Sequence, residues 1–337
     1  MNRTRRLLLG TVVITFALSA CSSSSKGSSS STTPTTAAGG GAALSGTITL
    51  AVNPWDGSAA NAAVAKAVLE KQGMTVKTKD IDENAVWAAL DSDSIDANLE
   101  VWPSGHAKDI KTYITDKKSV VDGGLIGPTG QIGWYIPKFV ADAHPEFKTS
   151  EGLKTQAAAD YFKTAETGDK GQFLLGDPSY VSYDSQIIKN LNLPFMVVVG
   201  GGEAALITAL DTALREKTPL LFYFYNPQWK WADPKFASSV QQVKLPDVTP
   251  ACTESAAGQG KDGKYACAYP PDHLLKAISA KLETKNPGAF KFLENMKWTD
   301  AEQNTVGRYV EVDKMTMAEA AQKWVDANPT VWQAWLK

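Results

Sequence analysis

Apolar residues recur along the chain with two periods, which predict strands and helices in alternation. From residue 47 onward, short apolar runs alternate with segments whose apolar residues lie three and four positions apart. Short runs are typical of strands, and the longer spacing is typical of amphipathic helices. Strands are expected at 47–52, 74–81, 95–101, 173–175, 195–199 and 220–225. Helices are expected from about Ser58 to Gly73, around Val86 to Leu90, at 185–190, at 203–216, and from Asp272 to the C-terminus.

This order of elements predicts an α/β fold with mostly parallel sheets. The alternating part of the chain has about 290 residues, which is enough for one large domain or for two lobes.

The first 46 residues are expected to lie outside the fold. Three arginines precede the apolar run 7–17, and small residues precede Cys21. Residues 1–20 are therefore interpreted as an export signal that resembles those of bacterial lipoproteins, in which the cysteine is lipidated. An ordinary cleaved signal with an incidental cysteine is the alternative. Residues 21–46, mostly Ser, Thr, Gly and Ala, predict a disordered tether, so the body is expected at the outer face of the cell membrane.

Charge and cysteine use agree with an exported protein that does not bind nucleic acid. Loss of three arginines from 34 basic residues leaves 31 against 36 acidic ones, a formal charge of −5. Nucleic acid binding depends on basic side chains and is not expected. Cys252 and Cys267 are expected to form a disulfide in an oxidising compartment. A metal site there is less favoured, because only His273 is close by in sequence.

Four predicted strands are each followed by an aromatic residue beside a proline or glycine turn. These residues are Trp55, Trp102, Tyr180 and the pair Tyr225 and Trp229. Ligands of open α/β sheets bind outside the carboxyl ends of strands. One such ring alone is usually a packing residue, but converging rings with few basic neighbours favour an organic cation. Each ring contributes about 0.5–2 kcal/mol, whereas micromolar affinity needs about 8 kcal/mol, so polar anchors are expected as well.

The stretches AVNPWDGSAAN, IDANLEVWPSGHAKDIKTYI, GQIGWYIPKFV, LLGDPSYVSYDSQII, GGGEAALITALDTAL and LLFYFYNPQWKWADPKF occur in this order. They resemble the substrate-binding proteins of glycine betaine, proline betaine and choline ABC importers, over residues 47–335. The resemblance implies a two-lobed type II periplasmic-binding-protein fold with a ligand cleft between the lobes. Lobe I would comprise 47–128 and 247–337, and lobe II would comprise 129–246.

The resemblance also implies roles for individual residues in a box of aromatic rings around a quaternary ammonium group. Trp102, Tyr180, Tyr225 and Trp229 match box positions, and His106 matches a donor to a ligand carboxylate. The backbone N–H groups of Val181 and Ser182 follow as further donors. Asp56, beside Trp55, would meet a cation or the hydroxyl of choline, because Pro54 removes an N–H from that loop. The pattern leaves open which of Tyr223, Tyr225, Trp229 and Trp231 completes the box and whether Trp134 or Tyr135 touches ligand.

The implied function is capture of glycine betaine or a related quaternary ammonium osmolyte for a membrane permease and its ATPase. A choline binder is the alternative within this class, and a secreted glycoside hydrolase using Asp177 and Glu203 is the alternative from another class. The three histidines are far apart and lack zinc-site spacing, so neither a metal nor a cofactor is expected. We expect a monomer with no catalytic residues.

Overall fold

The computed structural model describes residues 44–255 and 263–337. The predicted signal peptide, Cys21 and almost all of the predicted tether lie outside the described residues. The strands are β1 Thr47–Val52, β2 Thr75–Asp80, β3 Ala97–Val101, β4 Val120–Pro137, β5 Gly171–Leu175, β6 Phe195–Val199, β7 Phe222–Asn226, β8 Val240–Gln242 and β9 Asp272–Ser279.

The α-helices follow the strands in the order that an α/β fold requires. They are α1 Asp56–Lys71, α2 Val86–Asp91, α3 Ala107–Asp109, α4 Lys138–Ala143, α5 Gln156–Phe162, α6 Asp184–Asn190, α7 Glu203–Glu216, α8 Pro234–Ala237, α9 Pro250–Thr253, α10 Ala280–Lys285, α11 Pro287–Asn295, α12 Asp300–Glu311, α13 Met317–Ala327 and α14 Pro329–Gln333. Short 3-10 turns and one π-helical segment, Ile110–Asp116, complete the regular structure. No helix among the described residues is long and apolar enough to cross a membrane.

The long strand β4 joins two groups of strands. The strand order is β2-β1-β3-β9-β4-β7-β5-β6, and β8 also pairs with β4. Residues 120–130 of β4 pair with β9, and residues 131–137 pair with β7 and β8. The change of partner falls between Gly130 and Gln131. One strand therefore belongs to both halves of the fold, with the parallel strands β1–β3 on one side and β5–β7 on the other.

Two expectations about the sheet are wrong. Asp272–Ser279 is a strand and not the start of a helical tail, and it lies between β3 and β4, antiparallel to both. Seven of its eight residues are buried, so apolar side chains occupy both faces and the alternation that marks a half-exposed strand is missing. Because β4 is also antiparallel to β7 and β8, the sheet is mixed rather than mostly parallel.

The first helix begins at Asp56, two residues before the predicted start. The Ser58 hydroxyl does not cap it but accepts a hydrogen bond from the N–H of Asn53 at 2.9 Å. This contact holds the loop between β1 and α1, which carries Trp55.

Cys252 and Cys267 form a disulfide with an S–S distance of 2.09 Å. It links α9 to the segment that enters β9, across a loop that includes the undescribed residues 256–262. The bond ties down the chain where it returns from the second half of the sheet to the first.

Four tryptophans of the C-terminal region pack this region onto the first half of the sheet. Trp298 and Trp324 meet edge to face at 5.2 Å, and Trp324 stacks on Trp335 at 6.0 Å. The Trp298 indole donates to the Asn61 side chain of α1 at 2.9 Å, and the Trp332 indole donates to the Val325 carbonyl. All four are buried, as the sequence predicts.

Replacing Trp324 with Ala should reduce stability without changing the ligand site. The side chain is 1% exposed, and large-to-small changes of a buried aromatic residue cost about 3–5 kcal/mol. Chemical denaturation should show that loss in the free energy of unfolding, while ligand affinity stays within about twofold, since cavity effects are local. Val312→Ala, at a half-exposed position, is the matched control. A loss below about 1 kcal/mol for Trp324→Ala would contradict the packing role.

Candidate ligand-binding site

Four aromatic rings at the junction of the two halves line one cavity, and we call them the aromatic box: Trp55, Trp102, Tyr180 and Tyr225. Trp55 meets Tyr180 at 5.8 Å, Tyr180 meets Tyr225 at 6.3 Å, and Tyr225 meets Trp102 at 5.8 Å. Each pair is close to perpendicular, so ring edges and faces alternate around a central cavity. All four residues are buried and line this cavity.

The topology brings these rings together from distant parts of the chain. Trp55 follows β1 and Trp102 follows β3, which are parallel neighbours in one half. Tyr180 follows β5 and Tyr225 is near the end of β7, which are parallel neighbours in the other half. Carboxyl ends of parallel strands meet at one edge of a sheet, where ligands of α/β proteins bind. The two edges face each other across the cavity.

Gly130 gives the Trp102 ring its place. A Cβ atom at residue 130 would lie 2.4 Å from Cζ3 of Trp102, a distance at which no side chain fits. The ring therefore lies directly on the backbone of β4, at the position where that strand changes partners.

The side chain of Glu100 holds both tryptophans of the box. Its Oε1 accepts from the indole N–H of Trp55 at 2.7 Å and from that of Trp102 at 3.2 Å. Its Oε2 accepts from the amides of Asn61 at 2.6 Å and Gln303 at 2.8 Å. Burial raises the pKa of Glu100 to about 7, even though these donors favour the charged form.

Glu83 is the charged side chain that lines the cavity itself. Its Oε2 accepts from the backbone N–H of Val181 at 2.9 Å, and its Oε1 lies 3.0 Å from Nε2 of His106. Burial lowers the pKa of His106, but hydrogen bonds to Asp109 and Glu83 and their charges outweigh burial and raise it to about 9. The Nδ1 atom of His106 lies 3.2 Å from Oδ2 of Asp109 and accepts a hydrogen bond from the Trp87 indole N–H at 3.0 Å.

The contacts and the cavity lining bear on three sequence-predicted donors to a ligand carboxylate. His106 is 2% exposed and lies behind Glu83 rather than on the cavity wall. The Val181 N–H points at the Glu83 carboxylate, although Val181 itself lines the cavity. Ser182 lies outside the cavity wall, and its side chain hydrogen-bonds to the buried Asp184.

Asp56 and Glu203 form a carboxylate pair beside the box. The Asp56 N–H, at the start of α1, donates to Oε2 of Glu203 at 2.7 Å, and the Gln228 amide donates to Oε1 at 3.1 Å. Burial, followed by the charges of Glu203 and Glu311, raises the pKa of Asp56 to about 8, and burial also raises the pKa of Glu203. The pair lies between a helix of the first half and a helix of the second, so it bridges the two halves.

Trp229 does not belong to the box. It begins a 3-10 turn and packs against Gly307 of α12, where a Cβ atom would lie 3.0 Å from Cβ of Trp229.

Three further aromatic candidates do not line the cavity. Trp134 is fully buried and its indole donates to Asp184. Tyr135 packs on Phe222 away from the cavity, and the Trp231 indole donates to the Tyr225 carbonyl. Tyr223 does line the cavity, next to Tyr180 at 5.9 Å.

The cavity is small and its surroundings are negative. The space open to the centre of a water molecule is about 20 Å³, enough for about one water, so a larger ligand requires the rings to separate. The described residues that line it include no Lys, Arg or His, and Glu83 is the charged residue among them. In the whole described part of the chain, no cluster of three or more His, Cys, Asp or Glu side chains could hold a metal ion. This environment suits a small apolar cation.

Sequence reasoning missed Glu83, Glu100 and Gly130. A signal existed for Glu100, because a strand flanked by helices on both faces is expected to be apolar on both, yet polar residues alternate through 96–100. No local signal marks Glu83, whose partner Val181 is 98 residues away.

Comparisons with known proteins agree with this geometry. Residues 46–327 match the model of the substrate-binding domain of ABC-type glycine betaine transport systems. The trimethylamine N-oxide-binding protein of Pelagibacter ubique is 26% identical over 298 residues, covering 86% of this chain and 90% of that protein. A lactococcal protein closed around glycine betaine is similar in structure, with a TM-score of 0.66 and 18% identity, over 86% of this chain and 99% of that chain. A choline-binding protein in complex with choline gives a TM-score of 0.66 and 18% identity, over 86% and 91%.

The mixed α/β fold is that of these periplasmic binding proteins. Since the family match covers most of the chain, the protein is an extracytoplasmic binding component of an ABC transporter for quaternary amines and not an enzyme. The chain belongs to the family of substrate-binding domains of ABC-type glycine betaine transport systems.

Proposed function

We propose that the aromatic box of this protein captures a small trimethylammonium compound and delivers it to the permease of an ABC importer. The observation that carries the proposal is the set of four rings that line one cavity, whose charged wall residue is Glu83. Ring faces attract an ammonium group and a desolvated ring contributes about 2 kcal/mol or more. Four rings then supply most of the roughly 8 kcal/mol that micromolar affinity requires.

We propose that binding involves opening and closing of two lobes, 47–128 with 247–337 and 129–246. The cavity has room for about one water, so a trimethylammonium group enters only when the walls move apart. Trp55 and Trp102 belong to one proposed lobe, and Tyr180 and Tyr225 belong to the other. Separation of the lobes would open the box along the Trp55–Tyr180 and Trp102–Tyr225 contacts, and the ligand would then draw the walls together.

The location in the cell and the transport partners are part of the same proposal. Lipidation at Cys21 would anchor the protein to the outer face of the membrane, and residues 22–46 would give it reach. As a monomer in the closed form, it would dock on the permease, whose ATPase supplies the energy. The protein performs no chemistry on the ligand.

Glu83 supports choline over glycine betaine as the ligand. A carboxylate of glycine betaine placed beside Glu83 would meet a like charge, which costs about 4 kcal/mol at 4 Å when the effective dielectric constant is about 20, less the part that His106 beside Glu83 offsets. Moreover, the Val181 N–H that would receive the ligand carboxylate already donates to Glu83. The hydroxyl of choline is a hydrogen-bond donor and matches the Glu83 acceptor. We therefore propose choline as the second candidate beside glycine betaine, with Glu83 as the residue that favours it.

A titration with five trimethylammonium and related compounds should give saturable binding at micromolar concentration. The compounds are choline, glycine betaine, proline betaine, carnitine and trimethylamine N-oxide. The change of intrinsic tryptophan fluorescence reports binding, because Trp55 and Trp102 line the cavity, and calorimetry gives the affinities. Neutral sugars serve as the control. If none of the five compounds bound and the protein hydrolysed a sugar, the proposed function would be refuted in favour of a glycosidase.

Substitution Trp102→Ala should weaken binding of the best ligand at least thirtyfold, equivalent to about 2 kcal/mol for one desolvated ring. Trp102→Phe keeps a π face but loses the bond to Glu100, so it should fall between the parent and the alanine variant. Calorimetry measures both, with Trp324→Ala as the remote control. The same affinity for Trp102→Ala and the parent would remove Trp102 from the box.

Substitution Glu83→Gln should shift the preference of the site from choline towards glycine betaine. It removes the like charge, so affinity for glycine betaine should rise, while affinity for choline should fall about tenfold as the bond to a charged acceptor is lost. The control is Asp109→Asn, which removes the other carboxylate on His106 without altering the cavity wall. If Glu83→Gln weakened both ligands equally, Glu83 would have a structural role only.

A further inference from the structure

We propose that Glu100, which does not line the cavity, is the residue that makes the aromatic box selective for a cation. It acts through the two tryptophans. It fixes the orientation of their rings, it increases the electron density of the rings through their N–H groups, and it places a negative charge behind them. This inference rests on the proposed function, since it assigns a positioning and electrostatic residue to that same site.

The geometry of the contacts carries the proposal. One oxygen, Oε1, accepts from the indole N–H groups of both box tryptophans, at 2.7 and 3.2 Å. The other oxygen, Oε2, accepts from Asn61 on α1 and Gln303 on α12. A carboxylate has about four acceptor sites, so all of them are filled and the group cannot turn. Each indole has one N–H and no other polar atom, so this single group fixes the orientation of both rings.

Among the described residues, no cationic side chain hydrogen-bonds to Glu100. The side chain is 1% exposed, and its partners among the described residues are neutral indoles and amides. Burial of an ionised group without an opposite charge is costly. A trimethylammonium group on the far side of the two indoles would be the missing positive charge. An N–H that donates to an anion also polarises its ring, which strengthens the attraction of the ring face for a cation.

The site should therefore exchange a proton for the ligand near neutral pH. Burial, helped by the charge of Glu83, raises the pKa of Glu100 to about 7, against the hydrogen bonds of Trp55, Trp102 and Gln303, which lower it. The carboxylates that face Glu100 are those of Glu83 and Glu203. A bound cation favours ionised Glu100, so binding lowers this pKa and releases protons. By the same linkage, affinity should rise as pH increases through 7.

The test compares a cation with its neutral isostere in parent and Glu100→Gln proteins. Choline and 3,3-dimethylbutan-1-ol have the same shape, because carbon replaces the charged nitrogen. Glu100→Gln is expected to bind choline at least about tenfold more weakly, while its affinity for the neutral alcohol changes less than about twofold. Should glycine betaine bind more tightly than choline, glycine betaine and 3,3-dimethylbutanoate form the corresponding pair.

The Glu100→Gln variant is expected to fold, because Gln303 can change its hydrogen bonding to suit it. The Oε1 atom of Gln303 is buried without a hydrogen-bond partner, so this amide can turn over and accept from a glutamine N–H at position 100. Glu216→Gln, the same change at an exposed glutamate at the end of α7, is the matched control. It should retain the preference of the parent for choline over the neutral alcohol.

Calorimetry at pH 7 in two buffers of different ionisation enthalpy supplies a second readout, the number of protons released on choline binding. The parent should release more protons than Glu100→Gln. Equal proton release by both proteins, or an equal loss of affinity for choline and the alcohol in Glu100→Gln, would overturn the proposal. A parent protein that binds neither choline nor glycine betaine would instead overturn the proposed function.

Discussion

Burial of one carboxylate among neutral donors is the constraint on which the rest of the site depends. Glu100 needs four hydrogen-bond donors, and they come from the loop after β1, from α1, from the residue after β3, and from α12 near the C-terminus. These segments can satisfy it only in one arrangement, because an unpaired donor or acceptor at full burial costs about 1–3 kcal/mol. The first half of the sheet, the C-terminal helices and two box rings are thus fixed by one group.

The second half of the fold meets the first through ring contacts and single hydrogen bonds, among them that from the Val181 N–H to Glu83. Tyr180 and Tyr225 touch the tryptophans edge to face, and Asp56 meets Glu203 through one backbone N–H. Two carboxyl groups with raised pKa values at this contact make it sensitive to charge, since their full ionisation would repel the halves. A rigid wall on one side and an adjustable wall on the other is what a protein that encloses a small ligand requires.

Local sequence signals were sufficient for the parallel strands and the helices that follow them, but not for β4 or for the electrostatics of the site. Strands β1 and β6 and helix α7 have their predicted boundaries, because apolar runs with glycine or proline turns mark them clearly. Strand β9 was missed because both of its faces are buried. The box rings were predictable from their place after strand ends, whereas the roles of Glu83 and His106 depend on partners that only the folded chain brings together. The sequence does not show whether the backbone N–H of Val181 has a hydrogen-bond partner. Only the tertiary structure shows that it donates to Glu83.

Gly130 has two neighbours whose combination matters. It is the last residue of β4 that pairs with β9, and its bare backbone is the surface on which the Trp102 ring lies. Any bending of β4 where it changes partners therefore moves the backbone on which the Trp102 ring of the box lies. In the proposed closing motion, occupancy of the box and the angle between the halves would therefore be coupled at Gly130. A permease that senses only the outer shape of the protein would thereby sense whether the cargo is inside.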